Sequence, residues 1–293
     1  MLSYFLKKKK MLCVKNKILH LETDKEKIRQ LTVDNQKRKL EKNKGYLCSI
    51  NGNKYEKRIY DITKHTSIYG KPFNTQKEKD LAGSSSKNDL ECNFISKNDI
   101  GIEIKKHNTP DWMQCVLKYD EHTKKLIPTK NGKIPEKCRD LFTILIDHIN
   151  PYNGHIPPFM KKAITHEKWL SIKKSTSLWN DLYVDIPSNT ISKLYQSKGC
   201  HYIQISDGYG LFHLGHDKCG FNVPPFEIEQ QIRFRTKIHK RKNKKGFCNL
   251  SVTVSCQPKN IKNIRPSPYT LDNINKLPPP ILYHHLTNND NLG

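Results

Sequence analysis

The sequence lacks long apolar segments, and its nine cysteines form no C-x-x-C pair. No window of 18 or more apolar residues exists, and at the start of the chain the lysines follow a short apolar stretch that has no small-residue cleavage site. Neither a membrane-spanning helix nor a secretory signal is expected. Scattered cysteines favour reduced thiols over a disulfide framework. The sequence therefore predicts an intracellular protein, cytoplasmic or nuclear, that is not secreted and does not bind a membrane.

Acidic residues are also scarce. The 293 residues include 52 Lys and Arg against 28 Asp and Glu, which gives a formal net charge of +24. Because each Lys or Arg that neutralises a phosphate releases condensed counterions, an excess of this sign favours nucleic acid as a partner. A compositional preference for surface lysine would produce the same excess without any partner.

Composition divides the chain into four regions. Residues 1–45 contain 14 basic and five acidic residues, which predicts a flexible basic arm. A structured core is expected over residues 46–150 and a β-rich extension over 151–257. A Pro/Asn-rich extended tail is expected over residues 258–293.

Periodicity predicts three helices in the first half of the chain. Apolar residues recur at helical spacing in residues 53–62 and 139–149. A third helix is expected over residues 109–119, because Thr109 is a suitable N-cap and is followed by a proline and an aspartate.

Strand signals dominate the second half of the chain. Two apolar runs flank Asp207-Gly208, and this dipeptide favours a two-residue hairpin because both positions of a type I′ turn need positive φ. A second pair of strands is expected from residues 232–238 and 247–256.

A pair of short predicted strands carries the candidate chemistry. Asp89 begins the first strand, and Glu103 and Lys105 are two residues apart in the second. Strand alternation places Glu103 and Lys105 on one face, while Ile102 and Ile104 point into the core. Carboxylates suit hard cations such as Mg²⁺, which polarise a phosphoryl oxygen and activate water. If Asp89 meets this face, Lys105 can orient or deprotonate that water or stabilise developing negative charge.

This arrangement resembles the PD-(D/E)xK nuclease superfamily. In that pattern an acid at a strand start is followed by (D/E)-x-K on the paired strand. Asn88-Asp89 matches the first half, with Asn in the place of Pro, and Glu103-Ile104-Lys105 matches the second. The resemblance covers residues 46–120. It implies an α/β, restriction-endonuclease-like fold with a mixed central sheet flanked by helices, to which the β-rich C-terminal part is added.

The resemblance also implies a function. The chain would be an Mg²⁺-dependent endonuclease, with Mn²⁺ as an alternative ion, that hydrolyses double-stranded DNA like a type II restriction enzyme. A homodimer would meet a palindromic site symmetrically. Asp89 and Glu103 would hold the metal, and Lys105 would assist the attacking water.

Flanking residues extend the implied site. By the resemblance, Glu56 on the preceding helix would be an extra metal or water ligand, and Gln114 on the following helix would join the catalytic group. Glu91 shares a face with Asp89 and is either a third metal ligand or an ordinary strand acid. The small side chains of Ser84, Ser85 and Ser86 would let DNA approach closely.

A second candidate interface is basic. Eight Lys and Arg and no acid occur between residues 233 and 245. A two-stranded ribbon fits the DNA major groove, where Arg reads guanine and Lys contacts phosphate. A solvated charged face without a partner is the alternative. The residues expected to contact nucleic acid are Arg233, Arg235 and Lys237 on the strand and Lys240, Arg241 and Lys242 at its tip.

Zinc-ligand residue types occur together near the first hairpin, but without a paired C-x-x-C a Zn²⁺ site is not expected. These residues are Cys200, His201, His213, His216 and Cys219.

The alternatives to a restriction-like enzyme are a structure-selective repair or recombination nuclease and a non-catalytic nucleic-acid-binding protein whose acids are spectators.

Overall fold

The computed structural model describes most of the chain from residue 50 onward. The basic arm predicted at residues 1–45 lies outside the described part, as do the side chains of residues 90–92. The described residues of Gly52–Gly293 form one compact unit, and no helix among them is long and apolar enough to cross a membrane. The described residues are 50–73, 89–92, 100–109, 111–129, 134–238, 247 and 249–284.

The helices are few and mostly short. Two predicted helices are confirmed: in the first, Tyr55 and Ile59 are buried and Ile62 is partly buried, and in the second, Phe142 and Ile146 are buried. The helices are α1 at residues 50–63, α2 at Glu136–Ile149, α3 at Pro158–Lys161, α4 at His166–Ser175 and α5 at Thr190–Ser197. Short 3-10 turns occur at Pro151–Gly154, Ser177–Trp179, Ile261–Asn263 and Ile274–Lys276.

Strands supply most of the fold. In the first half they are β1 at Thr66–Ile68, β2 at Lys71–Pro72, β3 at Leu90–Cys92, β4 at Ile100–Lys105, β5 at Met113–Asp120 and β6 at Lys125–Pro128. In the second half they are β7 at Leu182–Ile186, β8 at Cys200–Ile205, β9 at Gly210–His213, β10 at Gln230–Ile238, β11 at Leu250–Pro258 and β12 at Ile281–Tyr283.

These strands form three sheets. A small sheet has the order β12-β1-β2, an antiparallel sheet has the order β6-β5-β11-β10-β7, and a mixed sheet has the order β3-β4-β8-β9. Within the mixed sheet, β4 and β8 are parallel and the other pairs are antiparallel. The chain is thus a mixed α/β protein with several sheets. Both larger sheets take strands from either side of residue 150, so the boundary predicted there does not separate two structural units.

The predicted strand pairs are confirmed. β3 pairs with β4, so Leu90 lies opposite Ile102. β8 and β9 form the hairpin, in which Asp207 (φ 59°) and Gly208 (φ 85°) both have positive φ. β10 pairs with β11 along its whole length. Turn chemistry and period-2 alternation were therefore sufficient to find these elements.

The helix predicted from Thr109 is wrong, because this segment forms β5. Met113, Cys115 and Leu117 are buried in alternation, which is the period of a strand. Asp111 does not cap a helix; instead, its carboxylate accepts hydrogen bonds from side chains of other strands. Tertiary contacts outweighed the local signal of a helix start.

The extended tail predicted at 258–293 differs from the structure over its described residues. Leu271 is fully buried, and its N–H donates to Gln204 Oε1 at 2.9 Å. Ile281 in β12 pairs with Ile68 in β1. The abundant Pro and Asn of this segment suit its irregular path over the core, and its few apolar residues fix that path. Residues 285–293 lie outside the described part.

The mixed sheet lies between two hydrophobic clusters. Ile102 and Ile104 of β4 pack in one cluster with Tyr55 and Ile59 of α1. The second cluster contains Cys200, Ile203 and Ile205 of β8 together with Tyr195 of α5. Every residue of β4 from Ile100 to Ile104 is buried, so its polar side chains enter the protein interior.

Candidate active site

Backbone hydrogen bonds bring Asp89 to the strand that carries Glu103 and Lys105. The Asp89 N–H donates to the Ile102 carbonyl at 3.1 Å. In return, Asp89 Oδ2 accepts from the Ile104 N–H at 2.7 Å. The structure therefore brings together the three residues that the sequence pattern singles out.

Glu103 lies at the centre of this site and is only 2% exposed. Its Oε1 is paired with the Lys105 ammonium, and its Oε2 lies 2.7 Å from the Lys198 Nζ. The Cys200 thiol donates to the same Oε2 at 3.7 Å. Burial alone would raise the pKa of Glu103, but the two ammonium groups outweigh burial and the pKa is lowered.

Sequence reasoning missed Lys198, which is 95 residues from Glu103 along the chain. It caps the C-terminus of α5, and Gly199, with a φ of 91°, turns the chain directly into β8. Glycine adopts this left-handed conformation without strain. Because β8 is the parallel neighbour of β4, the turn delivers Lys198 to Glu103. No local pattern signals a contact that depends on this parallel pairing.

Two other carboxylates share the site. Burial, followed by the Glu103 carboxylate, raises the pKa of Asp89 from 3.8 to about 6. Burial, followed by the Asp89 carboxylate, raises the pKa of Glu56 on α1 from 4.5 to about 7. Lys105 and Lys198 offset these increases only in part. Above pH 7, where Glu56 and Asp89 are ionised, three carboxylates therefore face two ammonium groups, and the site has an excess of negative charge.

Lys105 stays protonated in this environment. Burial would lower its pKa, but the charge and hydrogen bond of Glu103, together with the nearby Tyr195 and Asp89, outweigh burial and hold the pKa well above its ordinary value. The Lys105 Nζ lies 5.6 Å and the Lys198 Nζ 5.8 Å from the centre of the Tyr195 ring, at cation–π distance. The two ammonium groups thus flank Glu103 over one aromatic ring.

The donor set suits a hard cation. No group of three or more His, Cys, Asp or Glu side chains is arranged to hold a metal ion in the part of the chain that the structure describes. Mg²⁺, however, is commonly held by one or two carboxylates, with water and substrate phosphate completing its shell. Asp89 and Glu103 offer such oxygens. The pKa of Asp89 is raised mainly by burial and next by the Glu103 carboxylate, and a nearby cation would relieve that repulsion.

His201 and Cys219 of the zinc pattern make other contacts. His201 Nδ1 accepts from the Gly101 N–H at 3.2 Å, and its Nε2 lies 3.3 Å from the Lys218 Nζ. Burial, followed by the charge of Lys218, lowers the pKa of His201. The Cys219 N–H donates to the Tyr202 hydroxyl. These contacts organise the end of the β8–β9 hairpin.

The remaining residues predicted for the site separate into two groups. Gln114 lies on β5 of the antiparallel sheet, opposite Ser255, and no described hydrogen bond or ion pair links it to Asp89, Glu103 or Lys105. The predicted helix placement of Gln114 is wrong because β5 is a strand. Glu91 lies in β3 opposite Gly101, but the structure does not describe its side chain. Ser84, Ser85 and Ser86 lie outside the described residues.

The basic face of β10 is partly neutralised. Arg233 is 11% exposed, and its guanidinium lies 2.6 Å from Asp111 and 3.9 Å from Asp181. Arg235 is about half exposed and lies 3.6 Å from Asp181, while Lys237 is exposed. The sequence predicts that Arg233 contacts DNA, but in the structure its guanidinium is paired with two aspartates. Strand alternation alone could not reveal these aspartates, because they are distant in sequence. Lys240, Arg241 and Lys242 lie outside the described residues.

Comparisons with known proteins add little. No family model and no curated protein matches the chain. The solved structure of the HhaI endonuclease in complex with DNA is similar with a TM-score of 0.31 and 15% identity, over 62% of this chain and 82% of that chain. A TM-score this low does not define a shared fold.

Proposed function

We propose that this protein is a metal-dependent endonuclease that hydrolyses phosphodiester bonds of double-stranded DNA at a PD-(D/E)xK-type site. The observation that carries the proposal is the convergence of Asp89, Glu103 and Lys105 on neighbouring strands, with Glu56 close enough to interact with them electrostatically. The net charge of +24 supports a polyanionic substrate.

The excess of buried and partly buried acid argues against spectator carboxylates. Holding like charges together in the protein interior is unfavourable unless a partner neutralises them. A protein that only binds nucleic acid gains nothing from three carboxylates in one site, since they repel phosphate. A divalent cation held by the carboxylates would remove both objections, because it would offset their charge and attract phosphate.

In the proposed mechanism Asp89 and Glu103 would hold the ion, and Glu56, which interacts electrostatically with Asp89, would bind the ion or a water molecule. Bound Mg²⁺ would supply polarisation of the phosphoryl oxygen and a more acidic attacking water. The Lys105 ammonium, kept protonated by Glu103, stabilises the negative charge that develops on the phosphoryl group. Its raised pKa disfavours Lys105 as the group that removes the proton from water.

A plasmid assay tests this function. Supercoiled plasmid is incubated with the purified full-length chain and Mg²⁺, with EDTA as the metal-free control. The wild-type chain is expected to nick or linearise the plasmid, while Asp89→Ala and Lys105→Ala abolish cleavage but retain binding in a mobility-shift assay with Ca²⁺. Lys125→Ala removes an exposed lysine from β6 and is the matched control, which should cleave normally.

The products separate the alternatives. A discrete set of bands favours restriction-like specificity, whereas a preference for branched or nicked substrates favours a repair or recombination nuclease. Cleavage that survives both Asp89→Ala and Lys105→Ala would disprove the site, and binding without any cleavage would identify a non-catalytic nucleic-acid-binding protein.

A further inference from the structure

We propose that Lys198 is a second site lysine, a positioning residue that occupies Glu103 Oε2 and keeps the affinity for a divalent cation low until substrate phosphate arrives. This inference deepens the proposed function and rests on it for the identity of the substrate. No part of the E-x-K pattern includes this residue, which reaches the site from the turn between α5 and β8.

The contacts define how Lys198 acts. Its side chain is only 3% exposed, and its Nζ lies 2.7 Å from Glu103 Oε2. The other Glu103 oxygen is paired with Lys105. Both oxygens of the central carboxylate therefore already interact with a cation, and a divalent ion must share or displace one of these ammonium groups.

The net charge of the site shows how Lys198 would lower the affinity for a divalent ion. The carboxylates of Glu56, Asp89 and Glu103 carry at most three negative charges, and Lys105 and Lys198 carry two positive charges. A divalent ion reverses the sign of the site, so it binds against the repulsion of both ammonium groups. A substrate phosphate restores the balance. Without Lys198, the site would attract the ion strongly even when no phosphate is present.

Burial prevents Lys198 from simply leaving. An exposed lysine would rotate into solvent when an ion arrives, but this side chain is enclosed and its Nζ lies beside the Tyr195 ring. The α5–β8 turn that carries it is fixed by a hydrogen bond from the Gly199 N–H to the Gln196 carbonyl at 2.9 Å. Its charge therefore stays at the site.

The test measures Ca²⁺ binding to the full-length chain by calorimetry, without nucleic acid. Lys198→Met is expected to bind Ca²⁺ about tenfold more tightly than wild type, because one repulsive charge near the ion is gone. Lys198→Gln keeps a hydrogen-bond donor but lacks the charge, and it should show the same increase even if Lys198→Met does not fold. Lys198→Arg should retain the wild-type affinity.

A matched control and the sign of the effect exclude a merely structural explanation. Lys193→Met removes an exposed lysine from the same helix and should leave Ca²⁺ affinity unchanged. Structural damage at the site would weaken binding, whereas the proposal predicts tighter binding. Unchanged or weaker binding by folded Lys198→Met and Lys198→Gln would overturn the proposal, as would the absence of Ca²⁺ binding by all variants.

The plasmid assay distinguishes this inference from the proposed function. If wild type cleaves plasmid but Lys198→Met binds Ca²⁺ like wild type, only the role of Lys198 fails. If wild type does not cleave but Lys198→Met and Lys198→Gln bind Ca²⁺ more tightly, Lys198 controls a cation site and the nuclease function fails.

Discussion

Two charged clusters of this protein use the same residue types in opposite ways. In the mixed sheet, carboxylates outnumber ammonium groups, and the pKa values of Glu56 and Asp89 are raised to about 7 and about 6. In the antiparallel sheet, Arg233 lies between Asp111 and Asp181. The Asp111 carboxylate is further saturated by hydrogen bonds from the side chains of Ser255, at 2.7 Å, and Gln257, at 2.8 Å.

A structural ion pair and a candidate site differ in their charge balance. A saturated cluster has its charges balanced within the protein and needs no ligand. An unbalanced buried cluster destabilises the chain until a ligand completes it, and such strain is characteristic of functional sites. The sequence assigned Arg233 to a nucleic-acid interface, and only the structure shows that Asp111 and Asp181 lie beside it.

The largest expected effect comes from Asp89→Asn. Cleavage of plasmid should fall by roughly a thousandfold or more, because the ion loses a ligand. At pH 8 the metal-free variant should nevertheless be more stable than wild type, by about 1–2 kcal/mol, since one buried charge is removed. Thermal melts in EDTA and plasmid cleavage in Mg²⁺ measure the two effects.

Asp61→Asn is the matched control for this prediction. It removes an exposed carboxylate from α1 and should change neither plasmid cleavage nor stability at pH 8. A fall in the stability of Asp89→Asn at pH 8 would show that the acids of the mixed sheet are balanced after all, and the comparison between the two clusters would fail.

Asp111→Ala should lower stability and leave cleavage intact, which is the reverse of the effect expected for Asp89→Asn. Arg233 would keep only the longer contact to Asp181, and Ser255 and Gln257 would lose their shared acceptor, so the free energy of unfolding should fall by about 3 kcal/mol. Cleavage at a temperature where the variant is folded should stay near wild type. Urea unfolding checks the stability, and loss of cleavage by folded Asp111→Ala would move the active site toward β10.

The pH dependence of stability tests the raised pKa values of Glu56 and Asp89. Their folded-state pKa values of about 7 and about 6 exceed their ordinary values of 4.5 and 3.8, so the folded chain binds more protons between these limits. Their stabilising contribution is full below pH 4 and is lost as pH rises toward 7. Glu103 has a lowered pKa, so its contribution to stability is instead lost as pH falls into the acid range.

The corresponding measurement is the melting temperature in EDTA from pH 5 to pH 8. The melting temperature of the double variant Glu56→Gln/Asp89→Asn should decline less than that of wild type across this range. If both melting temperatures changed in parallel with pH, the electrostatic description of the site would be contradicted.

The smallest effect is expected for Lys237→Ala. This exposed lysine on β10 is available to phosphate, so its loss should weaken DNA binding about threefold and reduce the salt slope by about one counterion. Lys174→Ala, which removes an exposed charge from α4, is the control. An unchanged salt slope for Lys237→Ala would remove β10 from the DNA interface.

Local patterns predicted those parts of the fold that depend on neighbours in sequence. The hairpin at Asp207-Gly208 follows from turn chemistry, and the shared face of Glu103 and Lys105 follows from strand alternation. The approach of Asp89 to that face was expected only from the resemblance to the PD-(D/E)xK pattern. The β5 strand was missed because Thr109 and the residues after it imitate a helix start, although Met113, Cys115 and Leu117 already alternate. Local propensity yields to tertiary context at such positions.

The parts that could not be predicted depend on pairings distant in sequence. Lys198 reaches Glu103 only because β4 and β8 are parallel neighbours. Asp111 neutralises Arg233 across 122 residues of sequence. Ion pairs of this kind have no spacing rule, since they depend on sheet order rather than on position along the chain.

The most direct test of the active-site assignment is a crystal of the full-length chain in complex with double-stranded DNA, soaked in Mn²⁺ and measured for anomalous scattering. A peak between the carboxylates of Asp89 and Glu103, absent from Asp89→Asn crystals, is the predicted result. A peak elsewhere, or no peak at millimolar Mn²⁺, would contradict the assignment of the mixed sheet as a metal-dependent active site.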